Sequence, residues 1–153
     1  MKFTMAGVEI SEIPIITFVN HASVVFSYKK IRLITDPWLF GSAFNNNWDL
    51  ISKSKMQIKD FEKITHIWFS HEHPDHFAIQ VLRLIPEEVR KKIQVLFQDT
   101  LDHRVAKKCR ELGFQVTEMK HNKVYKLDDE FNVKCNPYGF YDSWLCMEID
   151  GKK

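Results

Sequence analysis

Apolar residues fall into short runs at the start and end of the chain and into three- and four-residue spacings in its middle. Ile15 to Val19, Ser23 to Tyr28 and Ile31 to Thr35 are short and rich in β-branched or aromatic residues, which predicts three strands. The tight Lys29-Lys30 link between the last two predicts a hairpin. Phe40 to Ser54, with Gly41 and Asn45-Asn46-Asn47, has no clean period and reads as a loop. A short helical segment, Asp60 to Ile64, precedes a strand from Thr65 to Phe69. Phe77, Val81, Leu82, Leu84 and Ile85 then keep helical spacing as far as Pro86. Ile93 to Phe97 is a further strand, and Leu101, Val105, Cys109 and Leu112 predict a helix that Gly113 stops. This alternation of strand and helix predicts α/β layering. Strands return at Gln115 to Glu118, Lys123 to Leu127, Phe131 to Cys135 and Trp144 to Ile149.

Composition narrows the class. With 153 residues, 44% hydrophobic and 27% charged, the chain has the material for one globular domain spanning residues 1–153. A net charge of +2 with scattered Lys and Arg argues against a nucleic-acid partner, and Lys91-Lys92, Lys107-Lys108 and Lys152-Lys153 read as solvated faces. Three cysteines without Cys-x-x-Cys spacing suit a reducing compartment and buried thiols. Met1 to Glu9 lacks the apolar region of a signal peptide, and no run approaches the ~20 apolar residues of a stable membrane span. A cytoplasmic location is therefore expected.

The chemistry is concentrated in Ser70-His71-Glu72-His73-Pro74-Asp75-His76, directly after the apolar run Ile67-Trp68-Phe69. In extended backbone alternate side chains point the same way, so His71 and His73 can converge on one ion. Asp75 and His76, at the turn into the next helix, can face a second ion or close the first. Neutral imidazole suits zinc, iron, manganese or nickel, and a carboxylate adds charge neutralisation. The loop after Asp36 carries Trp38, Phe40, Phe44 and Trp48, which either line a pocket for an apolar or sugar-like ligand or cap the sheet and core. His21 ends a strand and either orients substrate or a neighbouring carboxylate, or is a structural histidine bonded to backbone. Of the later histidines, His103 lies off the apolar stripe of its helix and His121 sits at a turn.

The pattern His71-x-His73-x-Asp75-His76 resembles the signature of the metallo-β-lactamase fold superfamily. The stretch from Val19 to Phe26, followed by Ile31 to Leu39, resembles the opening strands of one branch. That branch includes ascorbate-phosphate lactonase-like, N-acyl-phosphatidylethanolamine phospholipase D-like and CMP-N-acetylneuraminate hydroxylase-like proteins. The resemblance implies an αββα sandwich, with Asp36 supporting the metal loop and a water activated by one or two zinc ions, or by manganese or iron. Asp75 would then be both ligand and catalytic group, in hydrolysis of a phosphoester, lactone or related ester. Substrate would be a small molecule near His21, Trp38 and Trp48.

Two departures from that pattern stand out. No histidine occupies the Pro137 to Ser143 loop, so Asp142 is the candidate ligand there, or else a turn residue. Asp150-Gly151 is a strong hairpin signal with only Lys152 and Lys153 beyond it, so the expectation is a sandwich truncated at its C-terminus, its N-terminal half to two-thirds. Such a chain could form a homo-oligomer that completes the sheet. The alternatives are a mononuclear iron oxygenase-like site and a non-catalytic truncated domain.

Overall fold

The computed structural model describes residues 3–5 and 8–152, so the expectations for Met1 to Glu9 and for Lys153 fall partly outside the described residues. The first sheet has seven strands in the order β1 (Phe3–Met5), β2 (Val8–Asn20), β3 (Ser23–Lys29), β4 (Ile31–Thr35), β5 (His66–Trp68), β6 (Gln94–Gln98) and β7 (Gln115–Met119). β1 to β4 pair antiparallel and β4 to β7 pair parallel. The parallel pairs need crossovers. Helices α1 (Ile79–Leu84) and α2 (Glu87–Arg90) join β5 to β6, and α3 (Arg104–Glu111) joins β6 to β7. A second, antiparallel sheet holds β8 (Val124–Asp128), β9 (Phe131–Tyr138) and β10 (Asp142–Ile149), with β9 in the middle.

The two-residue period of the central strands divides the core. Ile34, Ile67 and Val95 face a helix-side cluster with Phe61, Phe77, Val81, Leu82, Val105 and Cys109. Their neighbours Leu33, Trp68 and Leu96 face the second sheet, against Phe131, Val133 and Cys135. Strands buried on both faces read as continuous apolar runs, as these do. Each fully buried side chain of this size contributes about 1.5–3 kcal/mol of transfer free energy. The result is a layer of helices, then a mixed sheet, then a second sheet: the α/β sandwich expected from the sequence.

Three differences from the sequence reading have local causes. β2 runs for 13 residues rather than the five expected, and β1 was not expected at all. Within β2, Pro14 sits at a register shift between Ser11 and Ile15, where a missing N–H is tolerated, so the strand extends beyond the apolar run. Leu101 is fully exposed and does not join its helix's stripe. His103 adopts the left-handed conformation (φ +54°), so α3 cannot begin before Arg104, whose N–H donates to the Asp102 carboxylate at 3.2 Å. The helical spacing ending at Pro86 becomes α1, and an unexpected second helix, α2, starts on Pro86 with Glu87 and Glu88 in its first turn.

Asp150 and Gly151 form the expected turn: both have positive φ (+51° and +69°), and Ile149 and Lys152 exchange backbone hydrogen bonds of 2.8 and 3.0 Å. β10 forms the outer edge of its sheet. Ile13, Ile15, Ile16 and Phe18 of β2 stay exposed, and a groove of about 340 Å³ separates them from Met147 and Ile149.

Candidate metal centre

β2 is antiparallel to β3, and β3 to β4, so β2 and β4 run the same way and their C-terminal ends meet that of β5 at one edge of the sheet. That edge is where α/β folds gather ligand-binding groups. His21 lies in the turn after β2, Asp36 just after β4, and His71 to His76 in the loop after β5.

Asp36 organises the loop. It is buried and sits in the left-handed region (φ +39°), with its own N–H donating to the Trp68 carbonyl at 2.9 Å. Its carboxylate accepts the Ser70 N–H at 2.8 Å through Oδ1, and Oδ2 lies 3.0 Å from His76 Nδ1. A carboxylate bonded to Nδ1 leaves Nε2 of His76 free to point into the site. The support role expected of Asp36 corresponds to these contacts. Ser70 also bridges: its hydroxyl lies 2.9 Å from His71 Nδ1 and 3.1 Å from His76 Nδ1.

The three loop histidines converge. His71 and His76 rings are 4.1 Å apart, and His71 and His73 rings 4.5 Å, with His71 Nε2 3.0 Å from His73 Nδ1. Burial lowers the pKa of His71, and the neighbouring His76 and His73 lower it further, which favours the neutral, ligating imidazole. Burial also acts to lower that of His76, but the hydrogen bond it donates to Asp36 and the charges of Asp36, Asp75 and Asp142 outweigh it and leave the pKa raised.

Asp75 is buried, with Oδ2 3.2 Å from His21 Nε2 and 3.5 Å from His76 Nε2. Its Oδ1 is buried and has no hydrogen-bond partner among the described residues. Leaving such an oxygen unpaired costs about 1–3 kcal/mol, more for a charged group, and a cation would satisfy it. The residues therefore fit a metal: crowded imidazole nitrogens beside an orphaned carboxylate oxygen. Asp142, exposed at the start of β10, places Oδ1 3.6 Å from His71 Nδ1, and the Ser143 hydroxyl donates to the Ser70 carbonyl at 2.8 Å. So the loop without a histidine does reach the site, through its carboxylate.

The structure also brings His21, Trp38 and Trp48 together, around a cavity of about 610 Å³ that Phe18, Asn20 and Asn47 complete. Trp38 is buried and donates its indole N–H to the Gly41 carbonyl at 3.1 Å, so it serves the core as well as the wall. Phe44, one of the loop aromatics expected either to line a pocket or to cap the sheet and core, stacks edge-on against Trp48 at 5.2 Å and against His73 at 5.8 Å. His66 keeps out of the site: it lies in β5, its Nδ1 2.8 Å from the Thr65 hydroxyl, and burial pushes its pKa down to about 4. His103 pairs with Glu118, and His121 is exposed in a turn.

A sandwich with histidines and carboxylates gathered at the C-terminal ends of its strands defines a metal-binding α/β protein. Residues 15–138 match the family model of the beta-lactamase superfamily domain, and the chain belongs to that family. It is 32% identical over 80 residues to the cytidine monophosphate-N-acetylneuraminic acid hydroxylase of Asterias rubens, and 30% identical over 86 residues to that of Mus musculus. Those alignments span 52% and 56% of this chain but only 12% and 15% of the relatives' length. Among solved structures, the diiron β-hydroxylase CmlA from Streptomyces venezuelae superposes with a TM-score of 0.66 at 18% identity, covering 93% of this chain and 28% of the other. An isothiocyanate hydrolase from Delia radicum gut bacteria gives 0.56 at 18% identity, over 78% of this chain and 45% of its own. These likenesses establish the fold, and the family is one of metal-dependent enzymes.

Proposed function

We propose that the chain is a metal-dependent hydrolase acting on a phosphoester, lactone or related ester of a small molecule. The observation that carries this reading is the buried Asp75 carboxylate, with one oxygen unpaired, beside three converging imidazoles. His71 and His73, with Asp142 in reach, would hold one ion, and Asp75 and His76 a second. Zinc suits this donor set, with manganese or iron as alternatives. Such an ion, when bound, supplies hydroxide at neutral pH and polarises the bond under attack.

The protein's own part is positioning and proton handling. Asp36 fixes the ring of His76 and the Ser70 backbone, so the loop enters the site in one conformation. Asp75 would help hold the ion and accept a proton from the attacking water on the carboxylate edge that faces His21 and His76. Trp48 and Phe44, with Trp38 buried behind them against His21, offer apolar surface beside His73 and His21, where a sugar or lipid portion of a substrate would stack.

A second reading is iron-dependent oxygen chemistry. It draws on the names of the relatives, hydroxylases in sequence and a diiron hydroxylase in fold. The test separates the two: the zinc-loaded chain is assayed against a panel of phosphodiesters and lactones, and the iron-loaded chain for oxygen uptake. Hydrolysis that disappears in His73→Ala supports the first reading. Oxygen uptake by the iron form without hydrolysis by any metal form replaces it with the second.

A further inference from the structure

We propose that His21 is a metal ligand, the third protein donor to the ion held by Asp75 and His76. The inference rests on the metal reading of the site and deepens it.

Four observations carry it. His21 Nε2, Asp75 Oδ2 and His76 Nε2 face one another, with Asp75 Oδ2 3.2 Å from the first and 3.5 Å from the second. Two donors each about 2.1 Å from a zinc-like ion at a tetrahedral angle stand about 3.4 Å apart, so both separations match a shared ion. The donor atoms of these three residues all lie within 4.8 Å of one another.

The turn holds His21 in place. It occupies the left-handed region (φ +46°) in the two-residue turn that joins β2 to β3. Asn20, itself buried, accepts the His21 N–H on Oδ1 at 2.9 Å and ties the turn to the long loop through the Ser52 carbonyl at 2.7 Å. Trp38 fixes the ring plane by edge contact at 5.2 Å.

The carboxylate side agrees. Asp75 Oδ2 faces two imidazole nitrogens at once, and its Oδ1 is buried with no hydrogen-bond partner among the described residues, so the buried carboxylate's charge is left for a cation to balance. The other histidines of this chain either form the loop cluster or lie away from Asp75. The chain has seven histidines: three form the loop cluster, His66 is held by Thr65, His103 by Glu118, and His121 is exposed in a turn. His21 is the remaining one.

The test is a cobalt(II) titration of the metal-free chain, followed by visible absorption, for the wild type, His21→Asn, His21→Cys and His73→Ala. Asparagine tolerates the left-handed conformation, so His21→Asn removes the imidazole without disturbing the turn; metal-free melting curves check that it folds. The expected result is an affinity loss at the Asp75–His76 ion of at least about 100-fold in His21→Asn, beyond that of an orienting residue, with a changed ligand-field spectrum. His21→Cys should gain a sulfur-to-cobalt charge-transfer band. An unchanged spectrum in His21→Asn and no new band in His21→Cys would overturn the proposal while leaving the metal reading intact. A wild type that takes up no more cobalt than His73→Ala would overturn both.

Discussion

Asp36 makes no contact with substrate in this account, yet its removal should damage both fold and site. In Asp36→Ala two hydrogen bonds to a charged acceptor vanish, from the Ser70 N–H at 2.8 Å and from His76 Nδ1 at 3.0 Å. Bonds to charged groups contribute about 1.5–3 kcal/mol each. Alanine at φ +39° adds about 1 kcal/mol of backbone strain. The sum is about 4 kcal/mol or more, a large share of a small domain's stability. Asp49→Ala is the control: that carboxylate is exposed, accepts a bond from the Ser42 hydroxyl, and should be worth about 0.5 kcal/mol. In urea unfolding, with a slope of about 1–2 kcal/mol/M, the two variants should differ in midpoint by about 2 M or more. Asp36→Asn refines the test, since asparagine suits the left-handed backbone and still accepts from Ser70 but presents no charge to His76. It should lose less stability, about 1–2 kcal/mol, while metal affinity falls about 10–100-fold. Equal midpoints for Asp36→Ala and Asp49→Ala would refute the assignment of Asp36 as the organiser of the loop.

Other expectations follow from single residues. His66 has a folded pKa of about 4 against 6.5 unfolded, so its contribution is fully present above the unfolded value and is lost as pH falls through 6.5 toward 4. Between about pH 7 and about pH 5 the wild type should lose about 2 kcal/mol through this group, and His66→Gln should show a correspondingly smaller drop in urea midpoint; identical pH profiles would remove His66 as the cause. Burial pushes the Cys109 thiol up to about 12, while Cys146 is only half-buried. Alkylation of the folded chain should therefore mark Cys146 first, and mass mapping that finds Cys109 labelled as fast would contradict the packing of α3. The open edge of β10 carries no lysine or proline to blunt it, so sedimentation should show concentration-dependent self-association that Leu145→Pro abolishes; a monomer across the whole range would mean that the edge does not pair with a second copy.

Much of the fold could be read from the sequence because its signals are local. The central strands are buried on both faces, so their apolar runs stand out, and Lys29-Lys30 and Asp150-Gly151 mark turns by residue type. β2 runs past the apolar stretch Ile15 to Val19 because a register shift between Ser11 and Ile15 accommodates Pro14, and the stretch itself carries no sign of that pairing. Leu101 was drawn into a helical stripe by spacing alone, although the left-handed His103 lies between it and Arg104. The loop cluster was legible for the same local reason, four donors in six residues. What composition and spacing do not carry is convergence from afar. His21 is 54 positions from Asp75 and Phe44 is 29 from His73, and only the shared direction of β2, β4 and β5 brings them to one edge.

The most direct measurement is elemental analysis of the purified 153-residue chain beside the His71→Ala/His73→Ala double variant. The account predicts one or two equivalents of a transition metal per chain, lost in the variant while its melting curve stays cooperative. Metal content in the wild type no higher than in the variant would contradict the central claim that this histidine loop is a metal centre.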